Sequence, residues 1–320
     1  MTPRVTTAAA SVVVVLSARL GAVFPAAAAG LLQDGLALYA DTDIPAQLAQ
    51  QYGAQPVGDA MHGLLLTFDL GSGAAARWVA TGATVLTPPE PRGAALLDAV
   101  GVMDRLRSPG GCPWDAEQTH SSLMPYLIEE TYELYQALED GDIDALREEL
   151  GDVLLQVLFH ARVAQEASNG FDIDAVATEL VTKLVGRHPH VFAGSEKVRT
   201  AADQEIRWEQ LKGTEKRRAS RVDGVALAQP AVALAAKLAA RTVKAGLPSD
   251  LLPGHGSGTG GALFQLSATA KLAGEDPEGA LHRVARRFAD DVRAAEDAAR
   301  AAGLDVASLT PQQWREHWPH

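Results

Sequence analysis

The stretch SSLMPYLIEETYELYQALEDGDIDALREELGDVLLQVLFHA, residues 121–161, decides the fold. In its first half Leu123, Leu127, Leu134 and Leu138 recur at steps of four and seven with no interior glycine, which predicts an amphipathic helix over 121–138. After the turn EDGD, Leu146, Leu150, Val153, Leu154, Val157, Leu158 and Ala161 keep the helical period, and Asp142 or Asp144 stands where a cap is needed. A third helix is expected over about 172–186, and a fourth from near Thr200 and Asp203 through Trp208. Long helices with short connections make an antiparallel bundle.

Both leading helices carry acids beside their apolar stripes. Glu130 and Glu133 flank Leu127 and Leu134, with Glu129 next to them, while Glu149 and Asp152 flank Leu150 and Val153. Residues three apart share a helix face, so each helix offers a carboxylate pair. Packing the stripes together brings four carboxylates toward one another, which raises their pKa values and costs stability unless a cation compensates. An all-oxygen donor set without His or Cys selects a hard cation, Mg²⁺ first and Mn²⁺ second, and disfavours zinc. Mg²⁺ held by carboxylates keeps positions open for water and phosphate oxygens, so a phosphate ester or anhydride is the expected substrate. Glu-rich helix faces are ordinarily solvated. Two pairs on consecutive antiparallel helices, both next to the core stripe, leave the solvated face and the cation site as equal alternatives on spacing alone. A di-iron centre needs Glu-x-x-His pairs, and Gln136 and Asp152 stand where the histidines should be.

Around this core the chain has 320 residues, 47% hydrophobic and 21% charged, which excludes disordered, collagen-like and disulfide-scaffold classes. The net charge of −12 argues against a general binder of nucleic acid or anionic membranes. The single cysteine, Cys112, cannot close an internal disulfide and fits a reducing compartment, with the cytoplasm expected. No stretch is apolar for long enough to span a membrane. Arg4, the apolar AAASVVVVLS and the small-residue run AAAAG have the order of a secretory signal. The β-branched run 12–15 reads equally as a buried parallel strand, with Pro25 opening the helix AAAAGLLQDGLAL. Residues 1–92, with further apolar runs LLLTFDL and ATVLTPP, are therefore expected to form a small α/β unit, of no assigned chemistry, ending at the breaker-rich TPPEPRG.

The acid pattern E-E-x-x-E followed by E-x-x-D resembles that of the all-α nucleoside triphosphate pyrophosphohydrolases. With the blocks GCPWDAEQTH, LIEETYEL, REELGDVLLQVLFHA and KLVGRHPHVF, it is similar to the MazG family, strongly over about 95–215. The resemblance implies a mainly α, usually homodimeric bundle that cleaves NTPs and dNTPs between the α and β phosphates, releasing a monophosphate and pyrophosphate, and so house-cleans nucleotide pools. By position it makes Glu130, Glu133, Glu149 and Asp152 the Mg²⁺ ligands, with Glu129 beside them in an open role, orienting water or a ligand. It also gives the triphosphate Lys183, Arg187 and Lys212, and sets Trp208 against the base or in the packing around the site. His188 and His190 read as a turn after the third helix, and His160 as a packed or partly exposed residue rather than a ligand.

The C-terminal third reads as a degenerate second copy. GCPWD at 111–115 returns as GLPSD at 246–250, GDVLLQ at 151–156 as GGALFQ at 260–265, and Trp208 as Trp314. Asp115 and Asp152 are 37 residues apart but Asp250 and Gly261 only 11, so 26 residues are missing, the E-E-x-x-E block among them. Gly258, Gly261 and Asp291 stand in place of Glu149, Asp152 and Arg187. The expected organisation is an α/β unit at 1–92, a catalytic helical domain at 93–224, and an inactive, packing or dimer-supporting copy at 225–320 whose loop DLLPGHGSGTGG is mobile. A non-enzymatic nucleotide-binding or regulatory module with vestigial acids is the competing reading, and the complete retention of both acid pairs with Lys183 and Arg187 counts against it.

Overall fold

The computed structural model describes residues 11–20, 23–33, 35–194, 200, 219–254, 256 and 258–319. The chain divides into two compact units, Met1–Ala193 and Gly194–His320.

The first unit opens with a five-stranded, all-parallel sheet ordered β3-β2-β4-β1-β5, built from β1 (Ser11–Val15), β2 (Leu38–Ala40), β3 (Gln55–Pro56), β4 (Gly63–Thr67) and β5 (Thr84–Leu86). The central pair runs in register from Ser11 opposite Gly63 to Val15 opposite Thr67. Helices α1 (Ala26–Gln33), α2 (Ala46–Tyr52) and α3 (Gly73–Ala80) supply the crossovers. Alternation in the central strands feeds two cores: Val12, Val14, Leu64 and Leu66 pack with Ala28 and Ile44, while Val13 and Leu65 pack with Ala74, Ala75 and Trp78. A continuous apolar run is what a parallel strand covered on both faces requires. Gly63 opens β4 at φ +121°, where a Cβ would come 2.5 Å from the Ala37 carbonyl oxygen, so no larger residue fits.

Two differences from the sequence reading appear here. The helix over AAAAGLLQDGLAL stops at Gln33, and the chain turns at Gly35 (φ +78°) to place Leu38 opposite Leu64 in β2. Strands of two or three residues such as β2 and β3 carry no readable periodicity, and tertiary pairing forms them. The aspartates after β2 are occupied with holding the loops. Asp41, 3% exposed, accepts hydrogen bonds from the Thr42 amide, the Ser72 hydroxyl and the Ala75 amide, while Asp43 Oδ2 accepts from Thr67, Phe68 and Asp69.

Helices follow: α4 (Ala95–Arg107), α5 (Pro113–Glu117), α6 (His120–Asp140), α7 (Ile143–Ala164), α8 (Ile173–Arg187) and the short α9 (Pro189–Phe192). Thr119 and Ser122 make a capping box for α6, Asp142 caps α7 and Asp172 caps α8. The core joins Met103 of α4, Leu123 of α6, and Leu158 and Phe159 of α7. Arg107, its side chain 5% exposed, locks the frame. It forks onto both carboxylate oxygens of Glu166 at 2.8 and 3.0 Å, donates to the Asp115 carbonyl and lies 5.8 Å over the Phe159 ring. Gly111 is required in the preceding turn, because a Cβ there would meet the Leu106 carbonyl oxygen at 2.2 Å.

In the second unit α10 (Ala231–Lys244), α11 (Gly258–Leu272), α12 (Pro277–Ala301) and α13 (Pro311–His317) are joined in part by single 3₁₀ turns. Buried Ala235, Ala239, Ala268 and Ala295 let these helices approach closely, and Glu278 accepts from the Ala233 amide at the start of α10. The glycine-rich stretch read as one mobile loop is helical from Gly258 onward, since burial of Gly261, Ser267 and Ala268 overrides the low helix propensity of glycine. The fourth helix through Trp208 falls outside the described residues.

Burial alone would raise the pKa of Asp41, but its hydrogen bonds from Ser72, Thr42 and Ala75 outweigh it and lower the value. A carboxylate with a depressed folded pKa contributes stability above its unfolded pKa, which is lost as pH falls through the folded one. Asp41→Asn should therefore lose about 1.5–3 kcal/mol at neutral pH, and the deficit should shrink in strong acid. Urea melts of both proteins across that range provide the check.

Candidate metal centre

Helices α6 and α7 form an antiparallel hairpin closed by Gly141 at φ +67°. Carboxylate oxygens of Glu130, Glu133 and Glu149 lie within 4.8 Å of one another. Glu130 and Glu149 are half-buried and Glu133 is exposed. Asp152 joins them electrostatically, acting on both Glu130 and Glu149. Glu133 is felt in turn by Glu149, so the register pairs 130 with 152 and 133 with 149 along one seam. Exposed Glu129 adds charge to Glu130 from one side, and Glu148 adds it to Glu149 from the other.

The consequence is a proton affinity above that of ordinary carboxylates. Burial, then Asp152, Glu133 and Glu129, push the Glu130 pKa up; burial, then Glu133, Asp152 and Glu148, push up that of Glu149. Among the described residues none of Glu130, Glu133, Glu149 and Asp152 forms an ion pair with a protein cation. Glu166 shows the opposite case, since hydrogen bonding from Arg107 lowers its pKa. Hard oxygen donors converging with no counter-charge among the described residues suit a divalent cation of the Mg²⁺ or Ca²⁺ type.

The other residues expected at the site divide. Lys183 and Arg187 lie one turn apart on α8, the helix packed against α7. Trp208 and Lys212 lie outside the described residues. His188 ends α8 with Nδ1 2.6 Å from the Leu184 carbonyl oxygen, as a helix-end turn should. His160 is half-buried, with Nδ1 2.8 Å from Nδ1 of His120 and the two rings stacked. Sequence reading passed over Gln156, buried on α7 one turn beyond Asp152 with its carbonyl oxygen unpaired. The available signal was an amide set among Val153, Leu154, Val157 and Leu158.

Two family models match this chain: the MazG nucleotide pyrophosphohydrolase domain over residues 118–192 and the MazG N-terminal domain over 11–86. A nucleoside triphosphate pyrophosphohydrolase of Mycobacterium tuberculosis is 44% identical over 269 residues, covering 80% of this chain and 78% of the relative. One of Mycolicibacterium smegmatis is 45% identical, covering 75% of each. The nucleoside triphosphate pyrophosphohydrolase/pyrophosphatase MazG of Thermotoga maritima is 34% identical, covering 69% of this chain and 93% of its own length.

Because the folded pKa values of Glu130 and Glu149 are raised, the folded state binds protons more tightly than the unfolded one. Stability then falls as pH rises through the window above the ordinary carboxylate range, and the full penalty persists at higher pH. Glu133→Gln removes a charge felt by both groups. In the absence of divalent cations it should melt higher than the parent at neutral pH, with the difference closing as pH falls to the ordinary carboxylate range. Calorimetric melts at a series of pH values measure it.

Proposed function

The chain belongs to the MazG family, and on that premise we propose that its α6–α8 bundle cleaves NTPs and dNTPs between the α and β phosphates, giving the monophosphate and pyrophosphate. The observation that carries the reading is the convergence of three carboxylates within 4.8 Å on consecutive antiparallel helices. Glu130, Glu133, Glu149 and Asp152 hold Mg²⁺, which Mn²⁺ can replace. When bound, the cation screens the polyphosphate and makes water a better nucleophile at neutral pH. The chain's own residues do the positioning. The four acids would hold the cation at the seam, and Glu129, exposed beside them, would orient the attacking water. Lys183 and Arg187 on α8 bind the β and γ phosphates, the Arg as a planar fork and the Lys as a point charge. Lys212 and Trp208 complete the grip by resemblance to the family. Electrostatic clamping of the transferring group accounts for most of catalysis in phosphoryl chemistry. The cellular role is clearance of unwanted nucleotides in the cytoplasm.

The protein works as a homodimer. Met124, Ile128, Tyr132, Tyr135 and Leu138 form an exposed apolar stripe on the face of α6 opposite the acids, and Leu180, Val181, Leu184 and Val185 expose another on α8. A second copy of the bundle covers these faces by the same apolar packing that closes four-helix bundles. The functional domains are 1–92, 93–224 and 225–320, with chemistry confined to the second. In the last, the span from the 3₁₀ turn at Ser249–Leu251 to α11 at Gly258 holds too few residues for a counterpart of α6, and Gly258 and Gly261 carry no ligand atoms.

Pyrophosphate rather than orthophosphate should be released when the protein is incubated with NTPs and Mg²⁺. Glu133→Ala or Asp152→Ala should cut kcat/KM at least about a hundredfold, roughly 2.7 kcal/mol of transition-state stabilisation. Wild-type turnover in either variant contradicts the ligand assignment. Lys183→Ala and Arg187→Ala should weaken triphosphate use far more than monophosphate binding, measured by initial rates and calorimetry. Equal losses would make them structural.

A further inference from the structure

The seam that carries the acids continues past them. Asp152 pairs with Glu130 and His160 with His120, so Gln156, one turn from each on α7, falls across from Tyr126 on α6. Gln156 is 4% exposed, and among the described residues no hydrogen bond reaches its buried Oε1. One turn further, Nε2 of His160 is also buried without a partner, its Nδ1 being engaged by His120 at 2.8 Å. Buried polar atoms are nearly always satisfied, and leaving one unpaired lowers stability. Two orphans one turn apart on the same helix face mark a place where hydrogen-bonding capacity is kept for something else.

Flat apolar surface stands beside them. Trp114 of α5 is 50% exposed and meets Tyr126 and Phe159 edge-on, at ring-centroid distances of 6.0 and 6.4 Å. Among the described residues the seam's opposite end offers neither feature, because beyond Ala137 it reaches the Gly141 turn with Asp140, Asp142 and Asp144 around it. A nucleotide whose phosphates sit at the acids therefore has one favourable direction for its nucleoside. Four residues of helix, about 6 Å along the axis, separate Asp152 from Gln156, a span suited to the sugar between an α phosphate and its base.

We infer that Trp114, Tyr126, Gln156 and His160 form a nucleobase subsite in which Gln156 discriminates between bases. The inference rests on nucleotide cleavage at the acid cluster. The rings provide contact that any base can use, since every base has a π face. The amide oxygen needs a donor from the base edge, and bases differ in where they present donors and acceptors. A site left with an unpaired buried group rejects the base that fails to satisfy it.

The test compares kcat/KM for dATP, dCTP, dGTP and dUTP between the full-length wild type, Gln156→Leu and Gln156→Met. At least one ratio between bases should move about tenfold in both variants, the equivalent of one hydrogen bond. Apo melting temperatures should not fall, because an orphaned carbonyl has been removed. If all four substrates change by a common factor, or none changes, the subsite is wrong while cleavage at the acids stands. If wild type releases no pyrophosphate from any of them, the cleavage reading fails. The same four dNTPs titrated calorimetrically in Ca²⁺ then decide the inference, with unchanged affinity ratios overturning it and a tenfold change supporting it.

Discussion

Like charges crowded along the seam between α6 and α7 are the constraint on which the rest of this molecule turns. Four carboxylates on facing helices repel, and burial of Glu130 and Glu149 weakens the water screening that would relieve them. An isolated helical hairpin would splay. What holds it closed lies further along the same seam, where Leu123 and Phe159 join Met103 and Leu158 in the core. Apolar packing at one end thus supports an electrostatically costly arrangement at the other, a common relation between a functional site and its scaffold.

The contrast with the other acids is instructive. Asp41 and Glu166 are stabilised as anions by donors from the chain: Ser72, Thr42 and Ala75 for the first, Arg107 and Arg162 for the second. Each ties separate segments together and so belongs to the architecture. Glu130 and Glu149 are destabilised as anions by burial and by one another's acidic neighbours, and among the described residues neither pairs with a cation. The direction of the pKa shift sets the two groups of acids apart where residue type alone does not.

Much of this was legible in the sequence because helical periodicity is dense over 121–161. The courses of α6 and α7, a cap at Asp142 or Asp144, of which the structure uses Asp142, and the approach of Glu130, Glu133 and Glu149 were legible from spacing. The sheet was legible only in β1, β4 and β5, whose runs VVVV, GLLLT and TVL are apolar, whereas β2 and β3 exist through pairing with distant strands. Helix α11 was obscured by its opening glycines, whose low propensity is overridden by burial against α10. Gln156 could be seen as an amide within an apolar stretch, but that its oxygen is unpaired could not, because an unpaired atom is a property of surroundings and not of residue type.

The central claim, that the α6–α7 seam tolerates its charge in order to hold a divalent cation, is tested most directly by Mn²⁺ uptake followed through the electron paramagnetic resonance of the free ion. Wild-type protein should quench the free signal to a fixed stoichiometry per chain, Mg²⁺ should restore it by competition, and Glu130→Gln/Glu149→Gln should leave it intact. A wild-type protein that leaves the free Mn²⁺ signal unchanged, or a double variant that quenches it equally, would contradict the account.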